Sequence, residues 1–265
     1  MKKPASVLFI SSVIMVASAM TYAQPAPVQA DDLLEKAEAG DTQAIGTTRQ
    51  HAAQGDANAQ FNLGLMYDTG LGIPQNYVEA LKWYRKAAEQ GLAEAQVNLG
   101  ALYDEGNGVP KEDDAVAMKW YRKAADQGNV KAQFFLGLLY ANGHGVRRSY
   151  AKAVTWYRLA AEKDYALAQY NLGDMYNTGR GVRKNYAEAA EWYRKAAEQG
   201  DVQAQLSLGN MYNQGHGVPQ DYVRANKWWE LSKAASKPGS ATYEFASRNI
   251  NILANKMRAG KIATP

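Results

Sequence analysis

The sequence is dominated by one phrase that occurs five times in the same order. Its clearest mark is the dipeptide Leu-Gly, which recurs at intervals of 36, 37, 36 and 36 residues. The five copies are Leu63-Gly64, Leu99-Gly100, Leu136-Gly137, Leu172-Gly173 and Leu208-Gly209. A tyrosine stands three residues after each glycine, and a Gly-x-Gly turn and an Ala-x-x-Trp phrase follow. A period of this length predicts a repeat architecture in which each unit packs mainly on its neighbours.

Each unit is predicted to form two helices joined by the glycine turn. In the first copy, helix A runs from about Ala57 to Asp68 and helix B from about Tyr77 to Glu89. The apolar residues of each helix share one arc of a helical wheel, and the tyrosines and tryptophans are expected in the core. Gly64 costs about 1 kcal/mol of helix propensity, so its recurrence indicates a close approach of two helices. The fold class is therefore all-α.

The repeated phrase resembles a known family. It reads Ala-Gln-x-x-Leu-Gly-x-x-Tyr-x-x-Gly-x-Gly-Val and then Ala-x-x-Trp-Tyr-Arg-Lys-Ala-Ala-Glu-Gln-Gly, which is similar to the Sel-one-like repeat (SLR), a relative of the tetratricopeptide repeat. The resemblance covers about 57–233. It implies a right-handed α-solenoid of helix-turn-helix repeats with capping helices, and a scaffold that assembles other proteins. Exported bacterial members resemble adaptors or regulators of envelope and host-facing processes.

The ends of the chain depart from the repeat and are expected to cap it. The phrase Gly40-Asp41-Thr42-Gln43-Ala44 survives in a degenerate N-terminal copy, and a last helix from about Ala241 to Ala259 carries one apolar stripe. The other side of that helix is polar, as the outer face of a terminal unit in a repeat array must be. The predicted organisation is a signal peptide at 1–23, a flexible lead at 24–30, an N-terminal cap at 31–56, repeats at 57–92, 93–129, 130–165, 166–201 and 202–237, and a C-terminal capping helix and tail at 238–265.

The first residues predict export. Lys2 and Lys3 precede a short apolar run, and Thr21-Tyr22-Ala23 or Ala17-Ser18-Ala19 fits a signal-peptidase site. We expect cleavage after Ala23, which would place the mature protein in a periplasm or outside the cell. The run is too short to span a bilayer, so no stable membrane insertion is expected. Loss of both lysines lowers the net charge to about +2 (4 minus 2), too little to indicate nucleic acid binding.

The sequence predicts no catalytic residue, metal ligand or cofactor. The loop histidines His144 and His216 are expected roughly 20 Å apart, too far to share a metal. Ser149-Tyr150-Ala151-Lys152 matches the Ser-x-x-Lys of penicillin-recognising enzymes, but no Ser-Asp-Asn or Lys-Thr-Gly accompanies it. The alternative is an enzyme acting on cell walls or β-lactams, by analogy with cysteine-rich members of the family. This chain has no cysteine, which argues against the disulfide-clamped helix pairs of that subgroup.

The predicted binding site for a protein or peptide is the face of helix A opposite the core. In the related tetratricopeptide arrays, helix A lines the concave side. Asparagine amides in one column could hold the backbone of an extended peptide, and Phe134, Phe135 and Leu138 would form an exposed apolar spot. The alternatives are a habitual asparagine of the repeat and deeper local packing of the phenylalanines. The predicted residues of this helix A face are Asn62, Asn98, Lys131, Phe134, Phe135, Leu138, Tyr170 and Asn171. The chain is expected to be a monomer.

The loops between helices A and B form a second candidate surface. Repeat 2 carries the acidic run Glu112-Asp113-Asp114, whereas the loops of repeats 3 and 4 are basic. The predicted loop edge consists of Arg147, Arg148, Arg183 and Lys184, to which Arg180 adds a further charge. Such an edge could steer a partner, although solvated loops are the simpler interpretation. Three Trp-Tyr dipeptides are followed by Arg-Lys pairs, which are expected to be solvated helix ends: Arg85-Lys86, Arg122-Lys123 and Arg194-Lys195.

Overall fold

A computed structural model of the chain describes residues 33–37, 40–109 and 113–259. Within these ranges the regular secondary structure is entirely helical, which confirms the all-α class. The predicted signal peptide and lead lie outside the described residues. The chain forms two compact units, the first ending at Trp120 and the second beginning at Tyr121.

The described residues contain thirteen helices. The first unit holds α1 (33–37), α2 (Thr42–Ala53), α3 (Ala57–Thr69), α4 (Tyr77–Glu89), α5 (Ala93–Glu105) and the start of α6 (Asp114–Asp126). The second unit holds the rest of α6, α7 (Val130–Asn142), α8 (Tyr150–Ala161), α9 (Ala166–Thr178), α10 (Tyr186–Glu198), α11 (Val202–Gln214), α12 (Tyr222–Ala235) and α13 (Ala241–Arg258). Helices A and B of the five repeats are the pairs α3 and α4, α5 and α6, α7 and α8, α9 and α10, and α11 and α12. Their bounds in repeat 1 agree with the predicted ones to within one residue.

Short polar side chains cap the start of three of the five A helices, and a glycine follows the end of all five. Asp56 accepts a hydrogen bond of 2.7 Å from the backbone N–H of Ala59, and Asn129 caps α7 in the same way. Each cap satisfies one of the free N–H groups at a helix start. At the other end of α3, Gly70 adopts a φ of 80° and donates its N–H to the carbonyl of Met66. This left-handed residue turns the chain towards helix B.

Within a repeat, a glycine on helix A lies directly against an aromatic ring of helix B. A Cβ on Gly64 would come within 2.6 Å of Cδ1 of Tyr84, a ring that is completely buried. Both aromatic columns of helix B are expected in the core, but Trp83, Trp120 and Trp228 lie at its margin, partly buried against it. Trp83 is only half-buried, and the ammonium of Lys86 lies 4.0 Å from its ring centre. The tyrosine column fills the core because it is the one that faces the glycine.

Two side chains of the repeated phrase join each repeat to the next. The buried amide of Gln96 donates its Nε2 hydrogen to the carbonyl of Ala88 at 3.1 Å, and Gln169 does the same to Ala161. The guanidinium of Arg158 donates to the Tyr176 hydroxyl at 2.7 Å, and Arg85 reaches Tyr103 of its following repeat. Arg85, which is exposed as predicted, therefore also has a hydrogen-bond partner in the next repeat. Each of these arginines closes a junction between neighbouring repeats.

Helices outside the five repeats cover both ends. Helix α2 packs on α3, and α13 packs on α12 with Ala246 and Leu253 buried. The predicted apolar stripe of the last helix is thus confirmed, although Phe245 and Ile252 on another side of α13 stay 44% and 47% exposed. Among the described helices, none has the length and apolar character needed to cross a lipid bilayer.

Candidate partner-binding site

The apolar spot predicted on α7 is not exposed. Phe134 and Phe135 retain 4% and 5% of their accessible surface, and Leu138 is half-buried. The Phe135 ring stacks on Tyr121 of α6 with ring centres 4.9 Å apart, and the Phe134 ring meets Tyr165 edge-on at 5.3 Å. The prediction that these phenylalanines are exposed anchors is therefore wrong. They pack between helices of successive repeats, which is the alternative of deeper local packing.

The asparagine column is committed to contacts within the chain. The Asn98 amide donates to the Tyr84 hydroxyl at 3.1 Å, and that hydroxyl donates to Oδ2 of Asp68 at 3.1 Å. Asn171 donates its Nδ2 hydrogen to the carbonyl of Leu167 at 2.7 Å, and Asn62 is buried. The expectation of free amides that hold a peptide backbone is thus wrong for Asn98 and Asn171. The hydroxyl of a buried tyrosine needs hydrogen-bond partners, and Asn98 and Asp68 supply them.

The two remaining residues of the predicted helix A face are half-buried. Lys131 lies in the first turn of α7. The ring of Tyr170 leans on that of Tyr193 at a centre distance of 5.7 Å. Burial, together with the nearby carboxylates of Asp174 and Asp201, raises the pKa of Tyr170 to about 12. Most of this face is therefore an interface between repeats and not a free surface.

Carboxyl groups lie beneath the same face. Burial raises the pKa of Asp68 above its ordinary value, and the hydrogen bond from Tyr84 partly offsets that rise. Burial also raises the pKa of Asp174, whereas the positive charge of Arg180 lowers it. Because desolvation disfavours the charged form, each of these carboxylates costs folding free energy at neutral pH.

The predicted loop edge is exposed, as its composition suggested. The side chains of Arg147, Arg148, Arg183 and Lys184 all face solvent, and so does Arg180. Three of these cations lie over tyrosine rings. Arg148 and Arg180 approach Tyr150 at 5.5 and 5.7 Å from its ring centre, and Lys184 approaches Tyr186 at 4.6 Å. The structure therefore groups these loops of the second unit into one surface that is basic and aromatic.

The Ser-x-x-Lys sequence occupies a helix start. Ser149 is the N-cap of α8, where its hydroxyl accepts the backbone N–H of Lys152 at 3.4 Å. The ammonium of Lys152 lies 5.2 Å from the centre of the Tyr140 ring. Both side chains thus have structural contacts that belong to the repeat. Among the described residues, His, Asp and Glu side chains form no group of three that could hold a metal ion.

The loop edge includes residues that the sequence prediction left out. Tyr150 and Tyr186 hold the cations in place, and His216 stacks on Tyr186 with ring centres 4.7 Å apart and an angle of 14° between the rings. A signal for them was present in the repeats. The middle residue of Gly-x-Gly is His144, Arg180 or His216 in repeats 3 to 5, but leucine or asparagine in repeats 1 and 2.

Comparison with known proteins identifies the repeated segment. The sequence profile of the Sel1 repeat matches five consecutive stretches, at 57–92, 93–129, 130–165, 166–201 and 202–236. A search of curated protein sequences gave no significant match.

Solved structures share the arrangement of helices. The protective antigen c5321 of uropathogenic Escherichia coli, which displays an SLR fold, is 38% identical over 88% of this chain with a TM-score of 0.75. The chain spans only 52% of the length of that protein. A Sel1 repeat protein from Oxalobacter formigenes is 35% identical over 89% of this chain and 91% of its own, with a TM-score of 0.73. The immunity protein Pa5087 from Pseudomonas aeruginosa, at 23% identity and a TM-score of 0.50 over 88% of this chain and 86% of its own, is similar in fold alone.

Proposed function

Since the chain belongs to the Sel1 repeat family, whose repeats typically mediate protein interactions, we propose that it is a non-catalytic scaffold that binds a protein partner. One observation favours a particular surface of the chain as the binding site. The loop edge offers exposed arginine and lysine side chains, while Phe134, Phe135 and Asn98 of the helix A face are used inside the chain. Exposed and positioned charges are what an electrostatically selective interface requires.

The absence of catalysis is proposed from the contacts of Ser149 and Lys152. Ser149 and Lys152 are the only residues whose spacing matched a catalytic motif, and both serve the repeat as a helix cap and as a cation over Tyr140. A serine nucleophile needs a base that shares its proton, and here the Ser149 hydroxyl faces a backbone N–H. These contacts favour a binding protein over a β-lactam-acting enzyme.

Export is the second part of the proposal. The charged start, the apolar run and the small residues before Gln24 fit a cleavable signal, so the scaffold would act in a periplasm or outside the cell. The 38% identical protein of uropathogenic E. coli is described as a protective antigen, which is consistent with export.

Two measurements test the proposal: affinity recovery of a partner and an assay for nitrocefin hydrolysis. The tagged mature chain is used to recover proteins from envelope fractions, and each recovered protein is purified and titrated against the chain by calorimetry. We expect saturable binding to at least one of them, and no nitrocefin hydrolysis above that of the buffer. Nitrocefin turnover by the pure chain, together with no saturable partner, would replace the scaffold with the enzyme.

A further inference from the structure

The same arrangement of side chains around a tyrosine ring occurs at two junctions of the loop edge. The tyrosine that starts helix B lies between a cation two residues earlier and the middle residue of the next repeat's Gly-x-Gly. Tyr150 has Arg148 and Arg180 in these positions, at 5.5 and 5.7 Å from its ring centre. Tyr186 has Lys184 at 4.6 Å and the stacked ring of His216 at 4.7 Å. The same two positions are thus filled by basic residues at two successive junctions.

The backbone fixes where these side chains lie. Gly181 has a φ of 73°, and a Cβ on it would come within 2.3 Å of the carbonyl carbon of Tyr150. The loop of repeat 4 therefore sits directly on the start of α8, with Arg180 beside the Tyr150 ring. A guanidinium held against a ring loses less conformational freedom when it binds a ligand than one that moves freely.

The first unit has the same close backbone contact, but the corresponding side chains carry no charge. A Cβ on Gly108 would come within 2.5 Å of the Tyr77 carbonyl oxygen, so the loop of repeat 2 is seated in the same way. Here the middle residue is Asn107, and the residue two before the tyrosine is Gln75, whose Nε2 donates to the Tyr77 hydroxyl. Stability of the junction consequently does not need cations. Their presence in repeats 3 and 4 calls for a different reason.

The charge of the chain is concentrated on this edge. We define the basic edge as Arg147, Arg148, Arg180, Arg183 and Lys184. Loops 143–149 and 179–185 contain these five cations and no acidic residue. The formal net charge of the whole chain is +4, so the rest of the chain sums to −1 (4 minus 5). A focused charge of one sign attracts a partner of the opposite sign.

We propose that the basic edge binds an acidic segment of the protein partner, through carboxylates paired with the guanidinium forks of Arg148, Arg180 and Arg183. This deepens the scaffold function proposed above and rests on it. Arginine is suited to the task because its planar fork accepts a carboxylate with two parallel hydrogen bonds.

Two observations favour an acidic protein over a nucleic acid. The faces of Tyr150 and Tyr186 that would stack on bases are already covered by cations and by His216. In addition, Glu188 lines the same depression as Arg183 and Lys184. A carboxylate at that position repels a continuous phosphate chain but tolerates a peptide whose charges are spaced apart.

A peptide-binding experiment tests the proposal with a matched control. The probe is a fluorescent peptide of about ten glutamates, and its neutral counterpart has glutamines; binding is read as anisotropy. The edge variant is Arg148→Glu with Arg183→Glu, and the control is Lys227→Glu with Lys256→Glu, which makes the same change in charge on exposed helical residues. All four side chains are exposed, so circular dichroism should match the parent in both variants.

The parent should bind the glutamate peptide, and added salt should weaken that binding. We expect the edge variant to bind about tenfold more weakly or worse, and the control to change by no more than about twofold. Equal losses in both variants, or equal binding of the glutamine peptide, would overturn the proposal. So would tighter binding of an oligothymidylate or of phosphatidylglycerol vesicles through the same arginines, because the ligand class would then be wrong.

The scaffold and the basic edge can fail separately. If the parent and the edge variant bind the recovered protein partner equally well by calorimetry, the basic edge is wrong and the scaffold stands. If the parent binds the glutamate peptide in the expected manner but no protein binds saturably, the edge recognises carboxylates and the scaffold function is wrong.

Discussion

The ring of Tyr157 occupies the space that a side chain on Gly137 would need. A Cβ at that glycine would lie 2.4 Å from Cδ1 and 2.5 Å from Cε1 of a ring that is itself buried. The same relation joins Gly173 to Tyr193 at 2.8 Å, and Gly209 to Trp229 at 2.6 Å. The Leu-Gly dipeptide therefore sets the distance between helices A and B, and the aromatic residue of helix B fills the gap that the glycine leaves.

Replacing Gly137 by alanine should lower the free energy of unfolding by about 1–3 kcal/mol, because the buried ring has to move. The control is Gly46→Ala on the exposed side of α2, where a Cβ meets nothing within 4 Å. That change should raise stability by up to about 1 kcal/mol through helix propensity. Urea unfolding followed by circular dichroism gives both values, and shifts of the same sign would contradict the close approach.

Replacing Asn98 by alanine should cost about 1 kcal/mol, since the buried Tyr84 hydroxyl loses a donor. Asn171→Ala is the matched control, because the Asn171 amide bonds only to the Leu167 carbonyl one turn earlier in its own helix. A change within about 0.5 kcal/mol is expected there. Should the two variants unfold at the same urea concentration, the Asn98–Tyr84 bond contributes nothing.

Truncating Phe135 to alanine should destabilise the fold by about 3–5 kcal/mol, as expected for a large buried side chain. Phe245→Ala removes the same atoms from a ring that is 44% exposed, and should change stability by no more than about 0.5 kcal/mol. Thermal or urea melts compare the two. A stable Phe135→Ala protein that merely loses its partner would restore the exposed-anchor hypothesis.

Replacing Asp68 by asparagine should stabilise the protein at pH 7. The folded-state pKa of Asp68 lies above the ordinary 3.8, so the folded chain holds this proton more tightly than the unfolded chain. Stability consequently falls as pH rises through the window that begins near 3.8 and extends upwards. Asparagine avoids that loss, and Asn177 and Asn213 already occupy this position in repeats 4 and 5.

The advantage of Asp68→Asn should therefore shrink as the pH is lowered from 7 towards 4. Urea midpoints of parent and variant at several pH values measure it. An advantage that is constant or grows on acidification would show that the carboxylate is not held at a cost.

The exported protein should begin at Gln24. Intact mass spectrometry of protein recovered from the envelope reads the mature end directly. Ala23→Arg should block this cleavage because a signal peptidase needs a small residue there, whereas Ala19→Arg should leave it in place. If Ala19→Arg alone prevents processing, the site after Ala19 is the true one.

The helices could be predicted from the sequence because their signals lie within one repeat. The spacing of Leu63, Gly64 and Tyr67 places them on one side of a helix, and the glycine turn marks its end. The burial of Phe135 could not be predicted in this way, because its ring stacks on Tyr121, which belongs to the preceding repeat. A helical wheel shows which residues share a side but not which neighbour covers that side.

The same limit explains the two outcomes for the candidate site. Asn98 looked available because its partner, Tyr84, lies on the helix before it. The loop cations were predicted as exposed because charged residues in a tight turn have no apolar surface to cover them. Their grouping around Tyr150 and Tyr186 followed only from the packing of one loop on the next helix start.

The bonds from Arg85 to Tyr103 and from Arg158 to Tyr176 have a consequence for how such a chain changes length. Repeats 1 to 4 each carry the arginine and all five repeats carry the tyrosine, whereas repeat 5 has Glu230 in the arginine position. Any of the first four repeats can therefore precede any other repeat. Unequal recombination between the copies of a gene can therefore delete or duplicate a stretch of 36 codons and leave each new junction chemically complete. A deletion that does not remove a whole number of repeats would separate an arginine from its tyrosine. Array length is then a heritable variable that evolution can adjust without inventing a new interface.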